Sequence, residues 1–86
     1  MYKIKYSKQV IKFLQKQKKE IVQKIISIFD ELKHETDFDR FDIRELKSFQ
    51  NVYRLRIGKY RIIFRVLKEE LIIEVIKAGS RGDIYK

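Results

Sequence analysis

The chain of 86 residues contains no cysteine, no proline and no tryptophan, and it has one histidine and three glycines. The absence of cysteine excludes a disulfide framework and a thiolate metal site. With no cysteine and a single histidine, His34, a zinc site or a histidine-based nucleophilic triad is nearly excluded. The glycines form no phosphate-binding loop of the Walker or dinucleotide type. We therefore expect neither a metal nor a cofactor.

The scarcity of proline and glycine is typical of a regular fold with short connections. The length, with a hydrophobic content of 44%, suits one domain over residues 1–86. Nothing in the sequence has the apolar run of a signal peptide or the roughly 18 apolar residues of a membrane span. We therefore expect a cytoplasmic protein.

Positive charge is the strongest bias in the composition. Lysine and arginine number 21 against 12 acidic residues, which gives a formal net charge of +9. Such an excess attracts an acidic partner over long range, and nucleic acid is the first candidate. An acidic protein that masks the same residues is compatible with it. A membrane surface is disfavoured because the aromatic residues form no amphipathic anchor.

Alternation and helical spacing outline the fold. Residues 2–6 alternate as a strand, Ser7 suits a helix N-cap, and a first helix from Lys8 breaks around residues 17–19. Ile21 begins a buried stripe that predicts a second helix ending near residues 33–35. Residues 35–48 read as a loop, followed by strands over 52–57, 60–65 and 71–76.

This β-α-α-β-β-β order predicts a two-layer α+β domain. An antiparallel sheet of about four strands would pack one face on the N-terminal helical hairpin. The first strand is expected at the sheet edge or beside the last strand.

The hairpin around Gly58 and Lys59 places arginines on one sheet face. A two-residue turn sets Arg56 opposite Arg61, and Arg54 and Arg65 then share their face. Like charges directly opposite destabilise a sheet, so a pure arginine face favours a polyanionic ligand. The alternative is a solvated face on which arginine stems cover apolar surface.

The acidic residues before the hairpin could suggest a metal site. Asp37, Asp39 and Asp42 alternate with aromatic and basic residues, and they lack the glycine and terminal glutamate of a calcium loop. We interpret them as a solvated loop whose carboxylates could pair with nearby lysines.

The basic residues suit phosphodiester chemistry without a metal. Guanidinium groups bind phosphate and stabilise a pentacoordinate transition state. In RNA the 2′-hydroxyl is a built-in nucleophile, so the protein need only align it and move protons. Tyr85 could carry a proton, stack on a base, or simply close the core. The candidate set is Arg54, Arg56, Lys59, Arg61, Arg65, Lys77, Arg81 and Tyr85.

In three features the chain resembles toxins of the RelE/ParE superfamily, most closely the RelE-type mRNA interferases. These features are the lysine-rich helical hairpin, the hairpin over residues 52–64 and the ending over residues 79–85. The resemblance implies a ribosome-dependent endoribonuclease that cuts mRNA in the A site by 2′-hydroxyl attack and so inhibits translation. It also implies a cognate antitoxin that covers the basic face, and we expect its binding segment to be acidic or amphipathic.

The resemblance also implies roles for individual residues. It places Arg54 and Arg56 at two basic strand positions, Arg61 after the turn, Arg81 after the last long strand and Tyr85 at the terminal tyrosine. We therefore expect Arg56, Arg61, Arg81 and Tyr85 to be catalytic. Together with the pattern of basic residues, this predicts that RNA phosphate is bound by Arg54, Arg56, Lys59, Arg65 and Lys77. The best-known RelE toxins carry lysine where this chain has Arg54 and Arg56. Arginine stays protonated. The alternatives are therefore that Tyr85 or a ribosomal group is the general base, or that cleavage is slow.

Two other functions fit the same sequence. A ParE-like toxin would inhibit DNA gyrase and need no nuclease site. A non-enzymatic RNA-binding or ribosome-binding module would use the basic face for affinity alone. Retention of Arg61, Arg81 and Tyr85 together favours the RelE type.

Overall fold

The computed structural model describes residues 1–34 and 37–80. Two helices cover one face of a five-stranded sheet. In chain order the elements are β1 (Lys3–Tyr6), α1 (Lys8–Gln15), α2 (Lys19–His34), a 3-10 turn (Phe38–Arg40), β2 (Ile43–Glu45), β3 (Val52–Ile57), β4 (Tyr60–Leu67) and β5 (Ile72–Ser80).

The helical hairpin forms as its sequence pattern predicts. Ser7 caps α1: its hydroxyl oxygen accepts the N–H of Val10 at 3.2 Å and its O–H donates to the carbonyl of Ile76 at 2.7 Å. One side-chain oxygen therefore begins the helix and ties it to the sheet. In α2 the predicted stripe is buried from Ile25 onward, while Ile21, where it was predicted to begin, is half-buried. The buried positions are Ile25, Ile28, Phe29 and Leu32.

The strands run in the order β1-β5-β4-β3-β2. The first strand lies at the edge and beside the last strand, as expected, but it is parallel to β5. The sheet is therefore mixed, whereas the sequence predicted an antiparallel one. Alternation along residues 2–6 identifies a strand and a buried face but carries no information on strand direction.

The other difference is β2, which lies inside the segment predicted as a loop. It has only three residues, and its Ile43 lies opposite Leu55 on the helix-covered side. Such a short strand offers a single apolar position, too little for alternation to be recognised. The sheet therefore has five strands where about four were expected.

Beyond β1, a side chain takes over the pairing with β5. The amide of Gln9 donates to the carbonyl of Ala78 at 2.8 Å, and its oxygen accepts the N–H of Ala78 at 2.8 Å. Both backbone groups of Ala78 are thereby satisfied on the side of β5 away from β4, past the point where the pairing with β1 ends at Val75. The helix α1 and the end of β5 are held together by this contact.

Aromatic rings fill the core between the helices and the sheet. Phe64 is fully buried, and its ring meets Phe29 edge-on at 5.3 Å and stacks on Tyr53 at 5.5 Å. Phe38, from the 3-10 turn, adds an edge contact to Phe64 at 5.7 Å. The core thus joins α2, β3, β4 and the connecting segment.

Truncating this central ring should strongly destabilise the fold. We expect Phe64→Ala to lower the free energy of unfolding by about 3–5 kcal/mol, because it removes a large buried side chain and leaves a cavity. Phe49→Ala is the matched control, since Phe49 is 62% exposed and its loss should matter little. Urea unfolding followed by circular dichroism measures both; equal losses for the two variants would contradict the described core.

Tyr6 should make the fold sensitive to alkali. Burial, with a smaller contribution from the charge of Asp30, raises the pKa of its hydroxyl to about 12, against roughly 10 in an unfolded chain. The folded state holds this proton more tightly, so the stability it contributes is complete below pH ~10 and is lost as the pH rises through the folded-state value.

We therefore expect the free energy of unfolding to fall over that alkaline interval, and Tyr6→Phe to remove part of the fall. Tyr53, whose pKa is also raised by burial, should keep some of the dependence in the variant. Urea unfolding at a series of pH values is the measurement. An alkaline slope identical in wild type and variant would contradict the role of Tyr6.

In the part of the chain that the structure describes, none of the helices combines the length and apolar character needed to cross a membrane.

Candidate nucleic-acid interface

The sheet face turned away from α1 and α2, here called the outer face, carries the predicted arginines. Gly58 has a φ of 57°, and the turn it begins sets Arg56 directly opposite Arg61. Arg54 lies opposite Ile63, and Arg65 lies opposite Val52. The register of the hairpin and the shared face of these arginines are therefore confirmed.

The outer face is not purely arginine, however. Val52 and Ile63 lie among the arginines and are only 7% and 9% exposed. Leu46 covers them, and its N–H donates to the carbonyl of Val52 at 2.8 Å. This small apolar cluster separates Arg65 from the arginines near the turn. The prediction of a uniform basic face is corrected accordingly.

A carboxylate lies among the arginines nearest the turn. Asp42 Oδ2 contacts Nε of Arg56, and Asp42 Oδ1 lies 3.5 Å from Nη2 of Arg54. The interpretation of Asp42 as a solvated residue or a partner of lysines was wrong, because β2 brings it beside β3. Asp37 instead accepts the N–H of Asp39 at 3.2 Å and begins the 3-10 turn.

The two arginines of this ion pair differ in exposure. The side chain of Arg56 is 52% exposed, while that of Arg54 is 20% exposed. Nε of Arg54 is buried without a hydrogen-bond partner among the described residues. Arg56 is therefore the more accessible of the two to a ligand in solution.

Arg61 is held over the turn by backbone oxygens. Its Nη1 donates to the carbonyls of Gly58 and Tyr60, both at 3.1 Å. These contacts occupy one nitrogen of the guanidinium and give the side chain a defined direction. Lys59 lies at the tip of the same turn, with its Nζ 5.4 Å from the centre of the Tyr60 ring.

The remaining predicted residues lie farther along the sheet or beyond it. Arg65 forms an ion pair with Glu74 at 3.6 Å, and Lys77 is exposed opposite Ile63. The described part of β5 extends to Ser80, opposite Tyr60. Arg81 and Tyr85 lie outside the described residues. The structure thus brings together Arg54, Arg56 and Arg61, with Lys77 on the neighbouring strand.

Sequence reasoning did not include Arg44 among the basic residues of this face. Arg44 in β2 is exposed and lies directly opposite Arg54. The available signal was the alternation of Ile43, Arg44 and Glu45, which three residues made too short to recognise. Arg44 extends the basic surface to the outer edge of the sheet.

Within residues 1–34 and 37–80, no group of three or more acidic or histidine side chains lies close enough to hold an ion. His34 lies in the last turn of α2, where a cation interacts favourably with the helix dipole. The outer face carries guanidinium and ammonium groups together with the carboxylates of Asp42 and Glu74, which lie beside its arginines.

The chain is thus a small α+β protein with one helix-covered sheet face and one open basic face, a surface whose charge favours acidic partners. Residues 4–85 match the sequence profile of the family described as "ParE toxin of type II toxin-antitoxin system, parDE". This chain belongs to that family of toxins.

Individual relatives carry the RelE name. The chain is 33% identical to RelE1 of Methanocaldococcus jannaschii over 99% of its own length and 96% of that protein. It also resembles RelE in the crystal structure of the archaeal RelE-RelB complex from Pyrococcus horikoshii. That match has a TM-score of 0.83 and 32% identity, and it covers 95% of this chain and 97% of the other.

A second solved complex is similar. The match to the RelB-RelE antitoxin-toxin complex from Methanococcus jannaschii has a TM-score of 0.78 and 26% identity, and it covers 95% of each chain. The predicted membership of the RelE/ParE superfamily is thereby confirmed, and so is the α+β fold of the RelE type.

Proposed function

We propose that this toxin is a metal-independent, ribosome-dependent endoribonuclease that cuts mRNA in the ribosomal A site and so inhibits translation. The observation that carries the proposal is the pair Arg56 and Arg61, directly opposite each other on an exposed sheet face. The two like charges repel each other, and the contact of Asp42 with Arg56 offsets part of that repulsion. A phosphate bound between them would relieve that repulsion and accept hydrogen bonds from both guanidinium groups.

The reaction needs few groups from the protein. The 2′-oxygen attacks the adjacent phosphorus, the bond from phosphorus to the 5′-oxygen breaks, and one proton leaves the nucleophile while another reaches the leaving oxygen. Arg56 and Arg61 would stabilise the charge that builds on the phosphoryl oxygens, assisted by Arg81. Arg54, Lys59, Arg65 and Lys77 would bind flanking phosphates. Since arginine stays protonated, Tyr85 or a ribosomal group would transfer the protons.

An antitoxin is the second partner we propose. Two similar solved structures are complexes of RelE with RelB, and the net charge of +9 on this chain favours an acidic segment in its counterpart. Both proteins and the ribosome would meet in the cytoplasm.

Binding of that antitoxin should weaken as salt is added. Exposed charges are screened beyond roughly 8 Å at physiological ionic strength, and charge complementarity mainly increases the association rate. We expect the association rate constant, measured by stopped flow or surface plasmon resonance, to fall steeply between low salt and physiological salt. A rate independent of salt would instead favour docking through an apolar surface.

A ParE-like toxin that inhibits DNA gyrase is the second candidate, because the family profile that matches residues 4–85 is named for ParE. The basic outer face would then serve another acidic target. Arginine pairs on an exposed sheet are compatible with either function, so the assay has to distinguish them.

The deciding experiment adds purified protein to an in vitro translation reaction and maps new mRNA 5′ ends by primer extension. Naked mRNA and a gyrase supercoiling reaction run in parallel. Cuts at A-site codons only in the presence of ribosomes are expected. Blocked supercoiling without cuts would transfer the assignment to gyrase inhibition. No effect in either reaction would leave a basic binding module.

A further inference from the structure

Asp42 lies on the outer face but has no role in the proposed reaction as described above. Its backbone carbonyl accepts the N–H of Arg56 at 2.9 Å, so its main chain is fixed against β3. Its side chain is 34% exposed and points to the arginines nearest the turn. An acidic residue in this place lowers the charge of a surface that otherwise favours anions.

The side-chain contacts define how the carboxylate meets each guanidinium. Oδ2 of Asp42 contacts Arg56 through Nε, the nitrogen nearest the aliphatic stem. Within residues 1–34 and 37–80, no hydrogen bond occupies the terminal Nη atoms of Arg56. An arginine held at Nε in this way keeps its outer amino groups available for a phosphate.

An unsupported arginine would bind phosphate less productively. Arg56 is 52% exposed, and a long exposed side chain samples many rotamers that must be frozen in the transition state. A carboxylate anchored by its own backbone removes part of that freedom in advance. Arg61 receives comparable support from the carbonyls of Gly58 and Tyr60, so both members of the opposed pair are held in place.

We propose that Asp42 is a positioning residue, which holds Arg56 so that its Nη groups face the phosphate to be cut. Asp42 acts through Arg56 and does not itself touch RNA. This inference rests on the proposed nuclease function. Simple electrostatics predicts only that an acidic residue on a basic surface lowers the affinity for RNA. The proposal instead predicts that Asp42 increases the rate of cleavage.

The test compares Asp42→Ala and Asp42→Asn with wild type in ribosome-dependent cleavage under multiple turnover. We expect kcat to fall about 10- to 100-fold for the alanine variant, while KM and the affinity for naked RNA stay unchanged or improve because a negative charge is lost. Asparagine keeps a side-chain oxygen beside Nε and should recover part of kcat. If the alanine variant does not fold, the kcat of the asparagine variant still tests the proposal.

Glu31→Gln is the matched control. Glu31 pairs with Arg40 at 3.5 Å with both side chains about half exposed, and it lies in α2 on the covered side of the sheet, so the variant should keep wild-type kcat. A double-mutant cycle adds Arg56→Lys: if Asp42 works through Arg56, Asp42→Ala should have little further effect in that background.

The inference can fail separately from the proposed function. Wild-type kcat in Asp42→Ala, beside an active wild type and an active Glu31→Gln, would overturn the positioning role. The positioning role would also be overturned if Asp42→Ala lowered kcat by the same factor in the wild-type and Arg56→Lys backgrounds. If wild type itself cuts nothing, the nuclease proposal fails. The 15N relaxation of the Arg56 Nε–H then decides whether Asp42 orders that side chain; equal mobility in wild type and Asp42→Ala would reject it.

Discussion

Replacing Arg61 with alanine is expected to reduce ribosome-dependent mRNA cleavage by about 10²- to 10³-fold, the usual cost of losing one preorganised donor to a developing negative charge. Arg61 lies opposite Arg56, and two backbone carbonyls fix its guanidinium. Its proposed contribution to the reaction would therefore require no reorganisation of the side chain. Single-turnover cleavage on programmed ribosomes measures the chemical step directly.

Two further variants define the origin of that loss. Arg61→Lys keeps the charge but cannot form a planar bidentate contact, so its rate should lie between those of wild type and alanine. Arg40→Ala removes the same charge from an arginine that pairs with Glu31 and should cut at the wild-type rate. If Arg40→Ala lost as much activity as Arg61→Ala, net charge and not a defined phosphate site would be responsible.

Arg81→Ala and Tyr85→Phe should each abolish growth arrest while leaving the fold and ribosome binding nearly intact. The loss of a proton-transfer group typically costs about 10²- to 10⁴-fold in rate, and Tyr85→Phe removes only the hydroxyl oxygen. Because the arginines of the outer face stay protonated, they cannot compensate as a general base.

Growth after induction is the first readout for these two variants, and ribosome co-sedimentation shows whether binding persists. Thermal unfolding by circular dichroism serves as the control for folding. Full toxicity in both variants would show that the proposed site is wrong. Loss of toxicity together with loss of ribosome binding would assign the two residues to affinity and not to chemistry.

Local sequence patterns predicted the helical hairpin and the β3-β4 register because both depend on neighbours in the chain. The stripe from Ile25 to Leu32 follows from helical periodicity, and the opposition of Arg56 and Arg61 follows from a two-residue turn. These features require no knowledge of distant segments. The sequence also placed the arginines of this hairpin on the outer face correctly, because their face follows from the same two-residue turn.

The features that sequence patterns missed depend on contacts between distant segments. The parallel direction of β1 is decided by the path of the helical hairpin across the sheet, which alternation does not encode. Asp42 reaches Arg56 only because β2 pairs with β3, and β2 was too short to predict. The apolar cover of Val52 and Ile63 by Leu46 follows from the same missed strand.

The Gln9 amide that pairs with Ala78 has a consequence for how the toxin behaves in a crowded cell. Strand edges with free N–H and C=O groups invite strands of other molecules and so promote aggregation. At Ala78 an incoming strand would first have to displace two hydrogen bonds of 2.8 Å. The Gln9 side chain of α1 thus blocks strand pairing at Ala78 and hinders self-assembly at that position.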